Sequence, residues 1–137
     1  MKFKIEGYAA IFNTPDGDGQ TIHPGAFSDW LSRGKTIPML LGFDAAKPIG
    51  TLNVIEEDNI GLRVEGELES FDEETEQALY LVQRNVLNGL AIGFKYMTDE
   101  EVGGEELKKI DLFAIGVVQN PSHVNTRITS VILPMKR

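Results

Sequence analysis

The chain has no cysteine and only two histidines, His23 and His123. Without thiols there can be no disulfides, thiolate zinc sites or cysteine nucleophile, and the redox compartment stays open. Two isolated histidines, with no H-x-H or H-x-x-x-H spacing, form no zinc pattern. No apolar run approaches the roughly 18 residues that span a bilayer. The opening MKFKIEGYAAIF lacks the apolar core of a secretory signal and reads as a strand. Basic residues are outnumbered, 13 Lys and Arg against 21 Asp and Glu, for a net charge of −8. Affinity for nucleic-acid phosphates comes mainly from Lys and Arg, so a nucleic-acid partner is disfavoured. There is no G-x-S-x-G elbow and no Gly-rich loop opening a helix to cradle phosphate.

The chain's 137 residues, 42% of them hydrophobic, suit one domain over 1–137 with a real core. The stretch from Glu56 to Glu76 is strongly acidic; it reads as a solvated face or as a surface that docks onto a basic one. The cluster NTPDGDGQ predicts a surface loop, since the spacing and closing glutamate of a calcium loop are missing. HPGAFSDWLSRG predicts a short helix, with Pro24 in its first turn, Phe27, Trp30 and Leu31 on one face, and Gly34 closing it. TIPMLLGF predicts a short buried strand. The segment from Lys47 to Glu69 predicts a hairpin whose return strand buries Leu62, Val64 and Leu68 on one side.

SFDEETEQALYLVQRNVLNG predicts the main helix. Its expected features are a Ser70–Glu73 capping box, an inward stripe of Leu79, Val82 and Val86, and Gly89 as its end. LAIGFKYM, LKKIDLFAIGVVQ and ITSVILPM predict three further strands, with a turn at Gly103 and Gly104 between the first two and Leu112 to Val118 central in the sheet. The expected fold is mainly β with α (α+β): a small closed or nearly closed β-barrel of about six to seven strands, one main helix and one short one.

Residue types alone reveal no active site. Ser28 and Ser32 fall in the short helix and Ser70 at a cap. Ser122 adjoins His123, but sequence neighbours often point apart. Paired-carboxylate hydrolysis has little support, because the carboxylates fall in exposed runs.

The order of motifs nevertheless resembles the tailed-phage prohead protease family, serine peptidases that mature capsids and whose fold is similar to that of the herpesvirus assemblins. The residues carrying the resemblance are IEGYAAIFN, IHPGAF, IPMLLGFDAAKPIG, IGLRVEGEL, LVQRNVLNGLAIGF and IDLFAIGVVQNPSHVN. The resemblance implies a histidine just before Asp44, where Phe43 stands, and a nucleophilic serine where Ala91 stands. It also implies an acidic residue and a serine where Ala114 and Gly116 stand. The surrounding Asp44, Lys47, Pro48, Ile49, Gly50, Gly93 and Phe94 match.

The expectation is therefore a catalytically inactive pseudoprotease, with apolar packing in place of a polar cleft and no cofactor or metal. It would serve as a capsid-associated cement, decoration or assembly component, in the virion or in the host cytoplasm during assembly. The expected partners are the major capsid protein or other phage head proteins, in a homo-oligomer, without direct contact to nucleic acid or membrane. Family proteases often carry a further scaffold-like region, whereas this sequence stops at PMKR, in keeping with a chain that stays in the particle. Two alternatives stand beside it. One is a transient factor that binds capsid subunits or scaffold in the old substrate groove. The other is an active serine peptidase with relocated groups, Ser122 with His123 or His23. A small β-barrel unrelated to phage, with a chance match of motifs, is the remaining reading.

Overall fold

Strand β1 (Lys2–Ile11) is followed by β2 (Thr21–Ile22), helix α1 (Ser28–Ser32), β3 (Pro38–Leu41), β4 (Pro48–Glu57), β5 (Gly61–Glu69), helix α2 (Glu73–Gln83), β6 (Gly89–Tyr96), β7 (Glu106–Leu107), β8 (Ile110–Val118) and β9 (Ile128–Ile132). The computed structural model describes residues 1–96 and 106–134; the expected turn at Gly103 and Gly104 lies outside them. Seven strands form one sheet in the order β6-β8-β3-β4-β5-β1-β9, and β2 pairs with β7 in a small parallel ribbon. The fold is the mainly β, curled barrel-like sheet with two helices that the periodicities predict.

Alternation explains the sheet. On β5, Leu62, Val64 and Leu68 are buried, while Arg63, Glu65 and Glu67 are only half-buried. Opposite them β1 buries Phe3 and Ile5, paired with Leu68 and Gly66. Each such side chain fully removed from water contributes about 1.5–3 kcal/mol. The β4–β5 turn is closed by Asp58, whose Oδ1 accepts from the N–H groups of Ile60 (2.8 Å) and Gly61 (3.0 Å). The Tyr8 hydroxyl donates to Asp58 Oδ2 at 2.5 Å and pins this hairpin to β1.

Register shifts at Glu6/Gly7, Tyr8/Ala10, Met39/Leu40, Leu52/Val54 and Gly93/Phe94 increase the local twist and curl the sheet. Its two ends then meet. Leu90 N–H donates to Thr126 O (2.9 Å) and Ile128 N–H to Asn88 O (2.8 Å), stitching β6 to the approach of β9. Glycine is required where this seam crosses β1: a Cβ at Gly7 would lie 2.4 Å from the Arg127 carbonyl oxygen.

Both helices depart from expectation in detail. Helix α1 starts at Ser28, so Pro24 precedes it instead of lying in its first turn. The approach is held from β4: the Glu57 carboxylate accepts from Gly25 N–H (2.7 Å) and Phe27 N–H (2.8 Å), with Gly25 at φ +92°. Phe27 and Trp30 are buried, as the helical spacing predicts. In α2 the cap is Asp72 with Thr75. Asp72 accepts from Thr75 N–H (2.8 Å), and Thr75 Oγ1 accepts from Asp72 N–H (3.1 Å). The expected Ser70–Glu73 box does not form, because Ser70 bonds Met1 instead.

Ala78, Leu79 and Val82 face inward, but Val86 is 65% exposed. The helix has already ended at Gln83, and Asn85 takes the left-handed conformation at φ +61° that the sequence reading gave to Gly89. Gly89 opens β6 instead.

Candidate functional site

Strand β6 borders two regions, which meet at Ala91. The first holds the four positions at which the resemblance locates reactive groups. Ala91 pairs with Gly116 and Gly93 with Ala114 across β6 and β8, so these residues share one face of the sheet. Phe43 follows Gly42, which adopts φ +61° and donates its N–H to Val117 O (2.8 Å), delivering the ring onto that face. A Cβ at Gly116 would lie 2.9 Å from Phe43 Cζ and 2.6 Å from Gly42 O, and a Cβ at Gly93 would lie 2.8 Å from Phe113 Cε1. The structure thus brings Phe43, Ala91, Ala114 and Gly116 together. However, Phe43 is 46% and Phe113 55% exposed, so the two rings lie on a glycine floor at the surface and do not fill an interior.

The second region lies off the other edge of β6, at the barrel mouth. A cavity of about 110 Å³ opens there under the 13–20 loop. Ala9, Ile22, Leu90, Ile92 and Leu107 give it apolar walls, and Thr14, Asp16, Asp18, Ser122 and His123 contribute its polar groups. The loop is tied down at two points. Gly17 N–H donates to Ser122 O (2.7 Å), and Thr14 Oγ1 lies 2.8 Å from His123 Nε2. His123 is 9% exposed, and its Nδ1 accepts from Asn125 N–H at 3.0 Å. That contact puts the ring proton on Nε2, which donates to Thr14. Nothing in the sequence signals this pairing, which spans 109 positions.

The other candidates are less chemically suggestive. His23 Nε2 meets Glu106 Oε2 at 2.9 Å across the β2–β7 ribbon, a partly exposed pair with no hydroxyl in its contacts. Ser32 donates to Asp29 O (2.6 Å), and Ser70 bonds Met1. Among the described residues no three His, Asp or Glu side chains gather as a metal site would require. The strongest electrostatic perturbation lies on the surface: the Lys47 ammonium, 2.7 Å away, and the Thr75 N–H and hydroxyl hold the Asp72 carboxyl down at about 2. Asp58 is also lowered. Burial by itself would raise it, but the Tyr8 hydroxyl and the Gly61 and Ile60 N–H groups outweigh burial.

Comparison with known proteins bears on what this arrangement serves. The profile of the Caudovirus prohead serine protease family matches residues 1–136. The chain is 31% identical over 98 residues to the prohead protease of Enterobacteria phage HK97, covering 70% of this chain and 44% of that protein. The fold is similar to that of varicella-zoster virus protease (TM-score 0.65, 17% identity, 98% of this chain and 65% of that one). It is also similar to that of KSHV protease in complex with a hexapeptide phosphonate inhibitor (TM-score 0.65, 12% identity, 93% of this chain and 64% of that one). The chain therefore spans less than half of its curated relative and just under two thirds of these structures.

The matches bear out the family resemblance and overturn the expectation of a catalytically inactive structural protein that is not an enzyme: kinship with prohead serine proteases points to a peptidase. The physical reason the expectation failed is local. Apolar groups at Phe43, Ala91, Ala114 and Gly116 describe the face shared by β6 and β8, whereas the cavity, which Ala91 also lines, is bordered by Ser122 and His123 as well.

Proposed function

The chain belongs to the Caudovirus prohead serine protease family, and from that premise we propose that it is a peptidase acting on phage head proteins inside the assembling capsid in the host. Its reactive groups are the Ser122 hydroxyl and the His123 imidazole. One observation carries this assignment: Ser122 and His123 both line the same cavity, alongside Ala91 on β6. The residues at the four family positions offer no lone pair for attack and no site for a proton, which supports relocation to this pocket.

In the resting arrangement Nε2 carries the ring proton and donates to Thr14, while Nδ1 is occupied by Asn125 N–H. Taking the Ser122 proton at Nε2 requires the ring proton to sit on Nδ1. Incoming substrate must then part the imidazole from both Thr14 and the Asn125 N–H. Such tightening and exchange on substrate entry is normal for general bases whose free-state contacts are unproductive.

The test is incubation with the capsid precursor of the same phage, in parallel with a serine-reactive fluorophosphonate. Labelling of Ser122 and shortening of the precursor are expected, and Ser122→Ala and His123→Ala should each abolish both. In serine hydrolases such losses reach the order of a millionfold in turnover. An unlabelled wild-type protein that leaves the precursor intact overturns the assignment.

A further inference from the structure

Helix α2 is apolar on two sides. Ala78, Leu79 and Val82 form its buried face. A helix lying on a domain normally turns polar and charged residues to water on the opposite side. Here the opposite side carries Tyr80 and Leu81, both exposed, and with Met1 they line a shallow surface groove. Val86, exposed as well, is held at the end of the same helix, because the Leu81 carbonyl accepts from its N–H (2.9 Å). Apolar area grouped in this way marks a contact surface.

The charges on the outer side are sorted by end. Glu73, Glu74 and Glu76 occupy the first turn, and Arg84 follows the last. Lys47 approaches Glu74 at 3.6 Å, but among the described residues neither Glu73 nor Arg84 has an ion-pair partner in the chain. At about 3.6 residues per turn, Glu73, Gln77, Tyr80 and Arg84 fall on one stripe, opposite the buried residues. The Arg84 guanidinium lies over the Tyr80 ring, 3.7 Å from its centroid, which orders both side chains. Tyr and Arg are also the residue types that dominate interface energies. The stripe has a further property. Glu73 and Arg84 are equally far from the middle of the helix, and so are Glu76 and Leu81, and Gln77 and Tyr80. A surface ordered in this way is complementary to itself across a two-fold axis.

We propose that α2 is the surface through which two copies of this chain pair, the helices running antiparallel so that Glu73 of each meets Arg84 of the other. The pairing goes beyond the peptidase reading and does not rest on it. Opposite charges meet at both ends, the helix dipoles oppose one another favourably, and Tyr80 and Leu81 leave water at the centre. The helix has 11 residues and is therefore about 16 Å long, so the contact lies at the small end of specific interfaces and the dimer should dissociate in the micromolar range.

The test is sedimentation velocity on the intact chain at physiological salt, from about 1 μM to about 300 μM. A rise from monomer to dimer across that range is expected. Leu81→Glu, which sets a carboxylate against Glu76 of the other copy, should weaken it about tenfold or more. Glu73→Arg and Arg84→Glu should each weaken it as well, because each puts like charges together at both contacts. An equimolar mixture of these two variants restores opposite charges at both contacts, so dimer should return in the mixture; that recovery also shows that both variants are folded. A wild-type chain that stays monomeric overturns the proposal. So does a dimer indifferent to Leu81→Glu, or a mixture that associates no better than its components.

Discussion

The two flanks of β6 differ in what they demand of the backbone. On the face shared with β8, glycine is imposed by crowding: the Gly42 carbonyl and the rings of Phe43 and Phe113 occupy the space a side chain would need at Gly93 and Gly116. At the edge facing the barrel mouth, the strand keeps ordinary side chains beside a cavity. A single strand thus carries a closed surface and an open one. The lesson is that a vacancy of reactive groups at one flank says little about the other.

Substitutions can test this contrast. The largest effect is expected where the two regions share a support. Leu90 is fully buried against the seam and forms a wall of the cavity, so Leu90→Ala should cost about 2–5 kcal/mol in urea unfolding. A loss under about 1 kcal/mol would mean the barrel mouth is not packed as described. Next comes the crowded face. Gly116→Ser must displace the Gly42 backbone and should cost about 1–3 kcal/mol, whereas Gly93→Ser meets only ring edges that can swing toward solvent and should cost less. Equal costs would show that the Gly42 backbone adds nothing to the crowding the rings impose on that face.

Thr14→Val removes the hydroxyl that faces His123 and should lower stability by about 0.5–1.5 kcal/mol, with the 13–20 loop becoming more susceptible to protease. The smallest effect belongs to neither flank. Asp72 titrates near 2 in the folded chain against 3.8 as a free side chain, because of Lys47 and Thr75. A lowered carboxyl stabilises above its unfolded value and loses that contribution as pH falls through the folded one. Melting temperature should therefore drop between about pH 4 and pH 2, and Asp72→Asn should flatten that part of the profile. An unchanged slope would show that the half-buried Lys47 and Thr75 contacts of Asp72 contribute nothing in solution.

Much of the architecture is legible in residue order because it depends on local periodicity. The alternation along β5, the Phe27–Trp30 spacing in α1 and the hairpin turn at Asp58 each declare themselves within a few residues. Helix boundaries are harder to read, because several groups compete to satisfy the same ends. Thr75 displaces Glu73 in the cap of α2, and Asn85 reaches the left-handed conformation before Gly89 can. The candidate site is mostly illegible. His123 meets Thr14 across 109 positions, and only the curl of the sheet brings them together. The order of motifs placed the chain in its family and placed four positions side by side on β6, β8 and the loop after β3. It did not show which groups would line the cavity beyond them.

Among the described residues, two main-chain bonds, at Asn88 and Leu90, and the Arg127–Asn88 side-chain bond close the sheet upon itself. A cylinder fastened by so short a zip should breathe there before it melts anywhere else. Deuterium ought to enter the Leu90 and Ile128 amides ahead of those in the β1–β5 ladder, at the place where the wall already parts.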